Sequence, residues 1–308
     1  MKMIDLHCDT ISVLEKLGNG VNLKKNNFHV DIEKLKMNGS IAQFFALFVK
    51  LDEYDNPWNH FENLYDRFKK EIEENKNEII HVKSFEEMKN NKKISAFLTV
   101  EEGGIIGNDL NRLNQLYELG IRLITLTWNF KNSIGHPNLK GFYDKGLTDF
   151  GKNVIEIMND KGIIVDVSHL SDKGFYDVIE ISKKPFIASH SNAREIANNP
   201  RNLTDDMLKI LGNKGGITGL NFCPPFININ EISSIEYMIK HINHIVNHAG
   251  IESMAIGTDF DGISGNLEIA DISKMYLLKD RLVKEGYSEE KIDKIWYKNA
   301  ERVIKEIL

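Results

Sequence analysis

Short runs of apolar, often β-branched residues recur along the chain, and most of these runs are continuous instead of alternating with polar residues. Continuous apolar runs are typical of parallel strands that are buried on both faces. The pattern predicts eight strands, at residues 3–6, 41–49, 94–100, 121–127, 162–168, 186–189, 216–222 and 254–258.

Between these runs, apolar residues recur at the three- and four-residue spacing of an amphipathic helix. Good N-cap residues begin three of the segments, at Thr148, Ser171 and Thr204. Helices are predicted at residues 109–119, 148–159, 171–181, 203–211 and 233–248, and two more at 271–284 and 288–308.

The alternation of strands and helices decides the fold class. Strictly alternating units predict a parallel sheet, and eight of them favour a closed barrel over an open sheet. A (β/α)8 TIM barrel takes about 250 residues, so a chain of 308 residues accommodates one barrel with extensions. The sequence contains no internal repeat, low-complexity linker or domain boundary. We therefore predict a single (β/α)8 domain over residues 1–308, with the last two helical segments closing the barrel and covering its outside.

Charge and composition limit the partners and the location. The net charge is −6 and no long basic run is present, so no nucleic-acid partner is expected. The N-terminal sequence MKMIDLHCDT lacks the apolar stretch of a signal peptide, and no segment offers the about 18 consecutive apolar residues of a membrane span. Cys8 and Cys223 do not make a disulfide framework. Together these observations predict a cytoplasmic protein without membrane contact.

Polar side chains that can bind metal or move protons follow five of the predicted strands. His7 and Asp9 follow the first strand, Glu101 and Glu102 the third, His169 the fifth, His190 the sixth, and Asp259 and Asp261 the eighth. The C-terminal strand ends of a (β/α)8 barrel form its active-site face, so these residues would converge on one mouth. Zinc accepts imidazole nitrogens and carboxylate oxygens as ligands. Each residue alone could be a hydrogen-bonded strand-end side chain, but the set at matching ends favours a metal centre.

The spacing of the first motif also predicts which way its side chains point. His7 and Asp9 are two residues apart on an extended segment, so their side chains point to the same side. Cys8 then points away from the site and towards packing.

Three more histidines, His241, His244 and His248, share one face of a predicted helix. This arrangement could bind a surface metal. The simpler interpretation is three helix-surface histidines, the last of them favourably placed near the negative end of the helix dipole.

Several longer motifs carry a resemblance to a known family. They are DLHCDT, LTVEEGG, LYELGIRLITLTWN, VDVSHLS, ASHSNAR followed by NPRNLTDDML, GGITGLNF and IGTDFDG. In these stretches, from Ile4 to about Gly262, the sequence resembles the membrane (renal) dipeptidase family of metallopeptidases and its bacterial members. The resemblance implies a (β/α)8 barrel, in agreement with the strand count, and an enzyme that hydrolyses dipeptides.

The resemblance also implies a binuclear centre with two Zn²⁺ ions per chain. His7 and Asp9 look like ligands of the first ion, and His169 and His190 look like ligands of the second. One glutamate would bridge the two ions.

Two glutamates compete for the bridging position. The family shows a glutamate followed by glycine, whereas both Glu101 and Glu102 precede Gly103 here. Counting back from LYELG without gaps favours Glu101, and Glu101 also follows the apolar strand directly. Glu102 stays the alternative.

Two further residues match substrate and proton-transfer positions of the family. Arg201, eleven residues after His190, matches the arginine that binds the terminal carboxylate of the substrate. Asp259, the first acid of DFDG, matches the acid/base residue.

One position departs from the animal members of the family. They carry a histidine after the TLT of the fourth strand, where it helps to polarise the substrate carbonyl, and Trp128 stands there in this sequence, as in the bacterial branch. His136 is a candidate substitute. It belongs to the segment 129–146, which is long for a βα loop and could line or cover the site.

Together these assignments imply a zinc dipeptidase in which a metal-bridging hydroxide attacks the peptide bond of a dipeptide. A homodimer is expected from the resemblance only. One alternative is another metal-dependent hydrolase on the same barrel, such as a cyclic amidase or deaminase, although that group usually carries HxH where this chain has HxD. A second alternative is a non-catalytic metal- or peptide-binding barrel, against which Asp259 and Arg201 argue.

Overall fold

A parallel barrel forms the centre of the computed structural model, which describes residues 2–230 and 232–308. The strands are β1 (Met3–Cys8), β2 (Ser40–Phe48), β3 (Ile79–His81), β4 (Ile94–Glu101), β5 (Ile121–Thr125), β6 (Ile164–Asp166), β7 (Ile187–Ala188), β8 (Ile217–Leu220), β9 (Ile232–Ser233), β10 (Met254–Ile256) and β11 (Asn266–Leu267). All strand pairs are parallel. Eight of these strands correspond to the eight predicted runs.

The barrel closes between its first and last strands. β1 pairs with β2 on one side and with β10 on the other, and β2 pairs with β4. The ring then continues from β4 through β5, β6, β7 and β8 to β10. Asp5 reinforces the closure, because its carboxylate accepts hydrogen bonds of 2.8 Å from both the backbone N–H and the hydroxyl of Thr258. The predicted (β/α)8 fold is confirmed.

The ladders of β6 and β7 are shorter than the apolar runs that predicted them. The carboxylate of Asp166, the last residue of β6, accepts the backbone N–H groups of Ser168 at 3.0 Å and Ser189 at 2.8 Å. These backbone groups therefore bond to a side chain instead of a neighbouring strand. The strand ends are tied together by one buried carboxylate.

Helices surround the barrel. They are α1 (Thr10–Leu17), α2 (Ile32–Asn38), α3 (Pro57–Glu74), α4 (Phe85–Asn90), α5 (Leu110–Leu119), α6 (Asp149–Lys161), α7 (Asp172–Ile181), α8 (Asp205–Asn213), α9 (Pro224–Ile227), α10 (Ile235–Ala249), α11 (Tyr276–Lys284), α12 (Glu289–Asp293) and α13 (Asn299–Ile307). The side chains of Thr148, Ser171 and Thr204 cap α6, α7 and α8 as predicted. The 18-residue α3 was not among the predicted segments.

The barrel interior is apolar below the strand ends. Its buried cluster contains Ile4, Phe44 and Phe97, and it also contains Val303 and Ile304 of α13. The carbonyl of Ile307 approaches Gly162, just before β6. The C-terminal helix therefore closes the N-terminal end of the barrel, whereas the last two helical segments were predicted both to close the barrel and to cover its outside.

Neither membrane spans nor disulfides are found in the described part of the chain. None of its helices combines the length and the hydropathy needed to cross a bilayer. Cys8 and Cys223 are not joined to each other, and Cys8 is fully buried in the main hydrophobic cluster, as predicted. The cytoplasmic location stays a prediction.

Two glycines let the strands approach each other closely beside the site. A Cβ atom on Gly219 would lie 1.9 Å from the carbonyl oxygen of Ser189, and one on Gly257 would lie 1.8 Å from the same atom. Ser189 directly precedes His190. Because these two positions have no side chain, the backbone that carries His190 has room to pass between them.

We expect Gly219→Ala to lower the free energy of unfolding by about 1–3 kcal/mol, because backbone must move to relieve the clash. Gly20→Ala is the matched control, since nothing lies within 4 Å of a Cβ at that exposed site. It should change stability by less than about 0.5 kcal/mol. Equilibrium urea denaturation measures both, and equal midpoints for the two variants would contradict the packing argument.

Candidate active site

The C-terminal ends of the barrel strands meet at a cavity of about 510 Å³. Five of the predicted strand-end residues line it: Asp9, Glu101, His169, Asp259 and Asp261. His7 and His190 lie deeper and are almost completely buried. The structure thus brings together side chains that are separated by up to 252 positions, from His7 to Asp259.

The carboxylate of Glu101 stands at the centre of the cluster. Its Oε2 atom lies 3.4 Å from Nε2 of His7. Its Oε1 atom faces the other side and lies 3.0 Å from Nε2 of His169 and 3.6 Å from Nε2 of His190. The carboxylate of Asp9 lies 3.3 Å from the same nitrogen of His7. The two oxygens of one side chain therefore face two separate groups of donors.

Hydrogen bonds determine which ring nitrogens of His169 and His190 carry protons. Nδ1 of His169 lies 3.1 Å from the amide oxygen of Asn129, which can only accept, so Nδ1 donates. Nδ1 of His190 lies 2.7 Å from the hydroxyl of Ser189, which itself donates to Asp166 at 2.6 Å. Both Nε2 atoms of the neutral rings therefore carry lone pairs.

These two lone pairs face each other. The Nε2 atoms of His169 and His190 are 3.1 Å apart. Burial lowers the pKa of His169 to about 4 and places the pKa of His190 well below its ordinary value, so both rings are neutral at pH 7. Two facing lone pairs repel each other, and a cation between them and Glu101 removes that repulsion.

Other buried donors in the cluster also lack partners. Both ring nitrogens of His7 and Oδ1 of Asp9 make no hydrogen bond. Buried polar atoms are normally paired, because leaving them unpaired is unfavourable. Burial would lower the pKa of His7, but the carboxylates of Glu101 and Asp9 outweigh burial and raise it well above its ordinary value. A cation that displaces the proton of His7 would find three imidazoles and two carboxylates, which fit the ligand chemistry of zinc.

Asp259 stands beside this donor cluster with one oxygen held and the other free to act. Its Oδ2 atom accepts a hydrogen bond of 2.9 Å from Asn221, and its Oδ1 atom lies 3.9 Å from Nε2 of His7. Burial raises the pKa of Asp259 to about 7, and the nearby negative charges of Asp9 and Glu101 add to the rise against the opposing effect of His7. A carboxyl group with a pKa near 7 can both take and give a proton at neutral pH.

Backbone strain is concentrated at the same strand ends. Within residues 2–230 and 232–308, four non-glycine residues have a positive φ: Glu102 at 82°, His169 at 67°, Asp259 at 61° and Asp261 at 70°. Such conformations are unfavourable for side chains other than glycine and persist where the surrounding structure holds them, commonly at functional sites. The strain here directs the side chains of His169 and Asp259 towards the cluster.

Glu102 points away from the donor cluster. Its buried carboxylate accepts the backbone N–H of Gly104 at 2.7 Å and that of Trp128 at 3.0 Å, together with the side-chain amide of Asn132. Burial raises the pKa of Glu102 to about 7. The structure thus places Glu101 among the histidines and Glu102 among backbone donors of the two loops that follow β4 and β5.

The two candidates for carbonyl polarisation have different positions. Trp128 lines the cavity, and its ring centroid lies 6.2 Å from that of His169. His136 is not part of the lining, and its Nδ1 lies 2.8 Å from the carbonyl oxygen of Gly146. Of the loop 129–146, Asn129 reaches the cavity wall.

Arg201 lies behind the cavity wall. Its guanidinium donates to the hydroxyl of Ser191 at 2.9 Å and to the carbonyl of His190 at 3.2 Å, whereas its buried Nε atom has no partner. Its Cζ atom lies 5.5 Å from the ring centroid of Phe226, which lines the cavity. A buried cation with an unused donor is thus placed next to the space in which a substrate would lie.

Sequence reasoning missed the residues that hold the site from behind. They are Asp166, Ser189 and Asn221, which bond to His190 and Asp259 directly or through one another. Asp166 and Ser189 are strand-end polar residues in the motifs VDVSHLS and ASHSNAR, so their position was a usable signal. The Asp166–Ser189 and Asn221–Asp259 pairs could not be predicted from the sequence, because each joins residues at the ends of different strands.

The prediction of three surface histidines on α10 is wrong for one of them. His241 is fully buried, and its Nε2 lies 2.9 Å from the carbonyl of Ile227 while its Nδ1 accepts the N–H of Ala193. This face of the helix packs against the loops that follow β7 and β8, which the sequence pattern did not reveal. His244 and His248 lie further along α10 and face Asp205 instead.

Comparison with known sequences identifies relatives over most of the chain. The family described as membrane dipeptidase (peptidase family M19) matches residues 1–308. A Schizosaccharomyces pombe protein named as an uncharacterized dipeptidase is 31% identical over 300 residues, which cover 89% of this chain and 72% of that protein. Dipeptidase tcpJ of Claviceps purpurea is 28% identical over 296 residues, which cover 91% of this chain and 69% of that protein.

Solved structures show the same fold over the full length. A metallo peptidase from Rhodobacter sphaeroides, bound to a phosphinate mimic of the dipeptide L-Ala-D-Ala, superposes with a TM-score of 0.93 at 24% identity, covering 100% of this chain and 99% of that one. Dipeptidase AC, a metallo peptidase of family M19, gives 0.92 at 25% identity, covering 100% and 98%. The family match over residues 1–308 and the related dipeptidases favour peptide-bond hydrolysis over a cyclic amidase, a deaminase or a non-catalytic barrel. The chain therefore belongs to the membrane dipeptidase family, peptidase family M19, and is a peptide-bond hydrolase.

Proposed function

We propose that the chain hydrolyses dipeptides with two zinc ions held at the barrel mouth. The observation that carries the proposal is the position of Glu101, whose two carboxylate oxygens face two different groups of imidazole donors. A carboxylate in this position suits a bridge between two cations. Zinc is favoured because the donors are nitrogen and oxygen atoms in a buried site.

Each ion has its own ligands in this proposal. His7 and Asp9 would hold one ion together with Oε2 of Glu101. His169 and His190 would hold the other together with Oε1 of Glu101, using Nε2 atoms whose lone pairs are already exposed by the hydrogen bonds at Nδ1. When bound, two such ions lower the pKa of a water molecule and polarise a substrate carbonyl.

Asp259 would handle the proton of the reaction. Its Oδ1 atom faces the donor cluster, while Asn221 fixes its other oxygen. The carboxylate takes the proton of the attacking water and then gives it to the nitrogen of the leaving amine. A pKa of about 7 suits both steps, because neither the protonated nor the ionised form is strongly preferred at neutral pH.

Arg201 would select substrates with a free terminal carboxylate. Its unpaired Nε atom and its buried charge favour an anion at this end of the cavity. The scissile bond and the carboxylate of a dipeptide are separated by one residue, so a longer C-terminal extension would move the carboxylate out of reach. The dipeptide mimic bound to the R. sphaeroides relative supports this substrate class.

Removal of metal tests the proposal as a whole. A strong chelator should abolish dipeptide hydrolysis, and added zinc should restore it, because the proposed ions activate the attacking water and polarise the substrate carbonyl. Turnover of a small dipeptide panel before and after chelation, with metal analysis of the same samples, measures this. Full activity in protein shown to be free of metal would contradict the proposal.

Substitution of each glutamate in turn tests which one binds the metal ions and which one only holds the neighbouring loops. Glu101→Gln should lose metal at the barrel mouth and lower kcat by more than about 10²-fold, beyond the usual effect of removing a residue that only supports a ligand. Glu102→Gln is the matched control. It should keep the metal and most of the activity while losing about 1–3 kcal/mol of stability, because one backbone N–H then faces an amide donor. Metal analysis and turnover measurements on both variants distinguish the two roles. The reverse result would assign the bridge between the two ions to Glu102.

Substitutions of the proton-transfer residue and of the substrate-binding residue should change different kinetic constants. Asp259→Asn should lower kcat by about 10²–10⁴-fold, the usual contribution of general acid–base catalysis. Arg201→Met should mainly raise KM for dipeptides, by about 10- to 100-fold for a lost charge-assisted contact. Arg201→Met should also reduce the difference in kcat/KM between free dipeptides and their C-terminal amides.

Two controls keep the Arg201 result interpretable. Arg201 also supports Ser191 and the carbonyl of His190, so bound metal must be measured in the Arg201→Met variant and should be unchanged. Arg201→Lys keeps the charge and should recover part of the affinity. Equal hydrolysis of dipeptides and their amides by the unmodified enzyme would refute the assigned role of Arg201.

A further inference from the structure

A second group of side chains with metal-ligand atoms lies on the outside of the barrel, between α8 and α10. Nε2 of His244 lies 2.6 Å from Oδ1 of Asp205, and Nε2 of His248 lies 3.3 Å from Oδ2 of the same carboxylate. The two imidazole rings are stacked with centroids 4.1 Å apart. None of these three residues lines the cavity at the barrel mouth.

The helices hold these side chains in fixed relative positions. His244 and His248 are four residues apart, so both rings project from one side of α10. Asp205 is the first residue of α8, and the hydroxyl of Thr204 caps that helix by accepting the N–H of Met207. At the other end of α8, a Cβ atom on Gly212 would lie 2.4 Å from the carbonyl of Ala249. The two helices are therefore in close contact, and their register is set by packing.

The hydrogen bonding of His248 leaves two acceptors facing each other. Its Nδ1 atom lies 2.9 Å from the carbonyl oxygen of His244, which can only accept, so Nδ1 donates. In the neutral ring, Nε2 then carries a lone pair, and that lone pair faces a carboxylate oxygen of Asp205 at 3.3 Å. A positive charge between the nitrogen and the oxygen makes this contact favourable, and either a proton on Nε2 or a metal ion supplies it.

We propose that Asp205, His244 and His248 bind a divalent transition-metal ion such as Zn²⁺, which links α8 to α10. The three donor atoms all lie within 4.8 Å of one another. Two imidazoles and one carboxylate are a ligand set for zinc and related ions, with a fourth position left for water, whereas Mg²⁺ and Ca²⁺ prefer oxygen ligands alone. Asp205 and His248 are partly exposed, so the ion enters from solvent.

The ion would stabilise the fold without taking part in catalysis. It binds the folded arrangement of two helices that are separate in the unfolded chain, so excess metal shifts the folding equilibrium towards the native state. The site is independent of the barrel mouth, because it shares no ligand with it. Loss of this site should therefore leave dipeptide hydrolysis unchanged.

The experiment compares His248→Gln with the unmodified full chain. Both are stripped of metal by a chelator, saturated with zinc chloride and freed of unbound ions before metal analysis. The unmodified chain should retain one zinc equivalent more than His248→Gln, whatever number the barrel mouth holds. Its Tm should also rise with zinc by about 2–4 °C more than that of the variant.

Two more variants complete the design. Asp205→Asn should reproduce the loss of one equivalent, because it removes the charged ligand but keeps the cap at Thr204. Asn247→Gln, at an exposed position on the same turn of α10, should behave like the unmodified chain. Equal zinc content and equal Tm response in all four proteins would overturn the proposed site. Failure of zinc to restore hydrolysis would instead concern the barrel mouth alone, since the difference of one equivalent does not depend on activity.

Discussion

The carboxylate of Glu101 and the three imidazoles around it impose the constraint on which the rest of the site depends. The side chain is buried at the end of β4, where a charge is unfavourable unless it is compensated. His7 compensates it on one side, and His169 and His190 approach it on the other. The hydrogen bonds at Nδ1 of His169 and His190 hold these two rings where their other nitrogens can share one carboxylate.

The barrel supplies that support through polar side chains at neighbouring strand ends. Asp166 at the end of β6 receives hydrogen bonds from Ser189, and Ser189 orients the ring of His190. Asn221, just beyond β8, holds Asp259 and also bonds to the carbonyl of His190. Because consecutive strands of a closed barrel are neighbours in space, each strand end can fix the side chain of the next. Four left-handed residues at these ends complete the alignment.

The sequence predicted the barrel and its polar mouth because both follow from local pattern. Continuous apolar runs marked the strands, and donor side chains directly after them marked the active face. It also favoured Glu101 over Glu102 from its position at the strand end. The partners of these residues could not be predicted in the same way. Asn221 meets Asp259 from 38 positions away, and His241 is buried by packing partners that its own helix does not reveal. Such contacts depend on the closed fold.

Closure between β1 and β10 has a consequence for how the chain folds during synthesis. The first strand has one neighbour close in sequence, β2, while its other neighbour and the Thr258 partner of Asp5 emerge from the ribosome about 250 residues later. A nascent chain therefore holds an open sheet with an unpaired edge for most of its translation. Long-range parallel pairing of this kind is slow, and open edges invite association with other chains. The closed barrel therefore leaves one edge of β1 unpaired until the last barrel strand has been made.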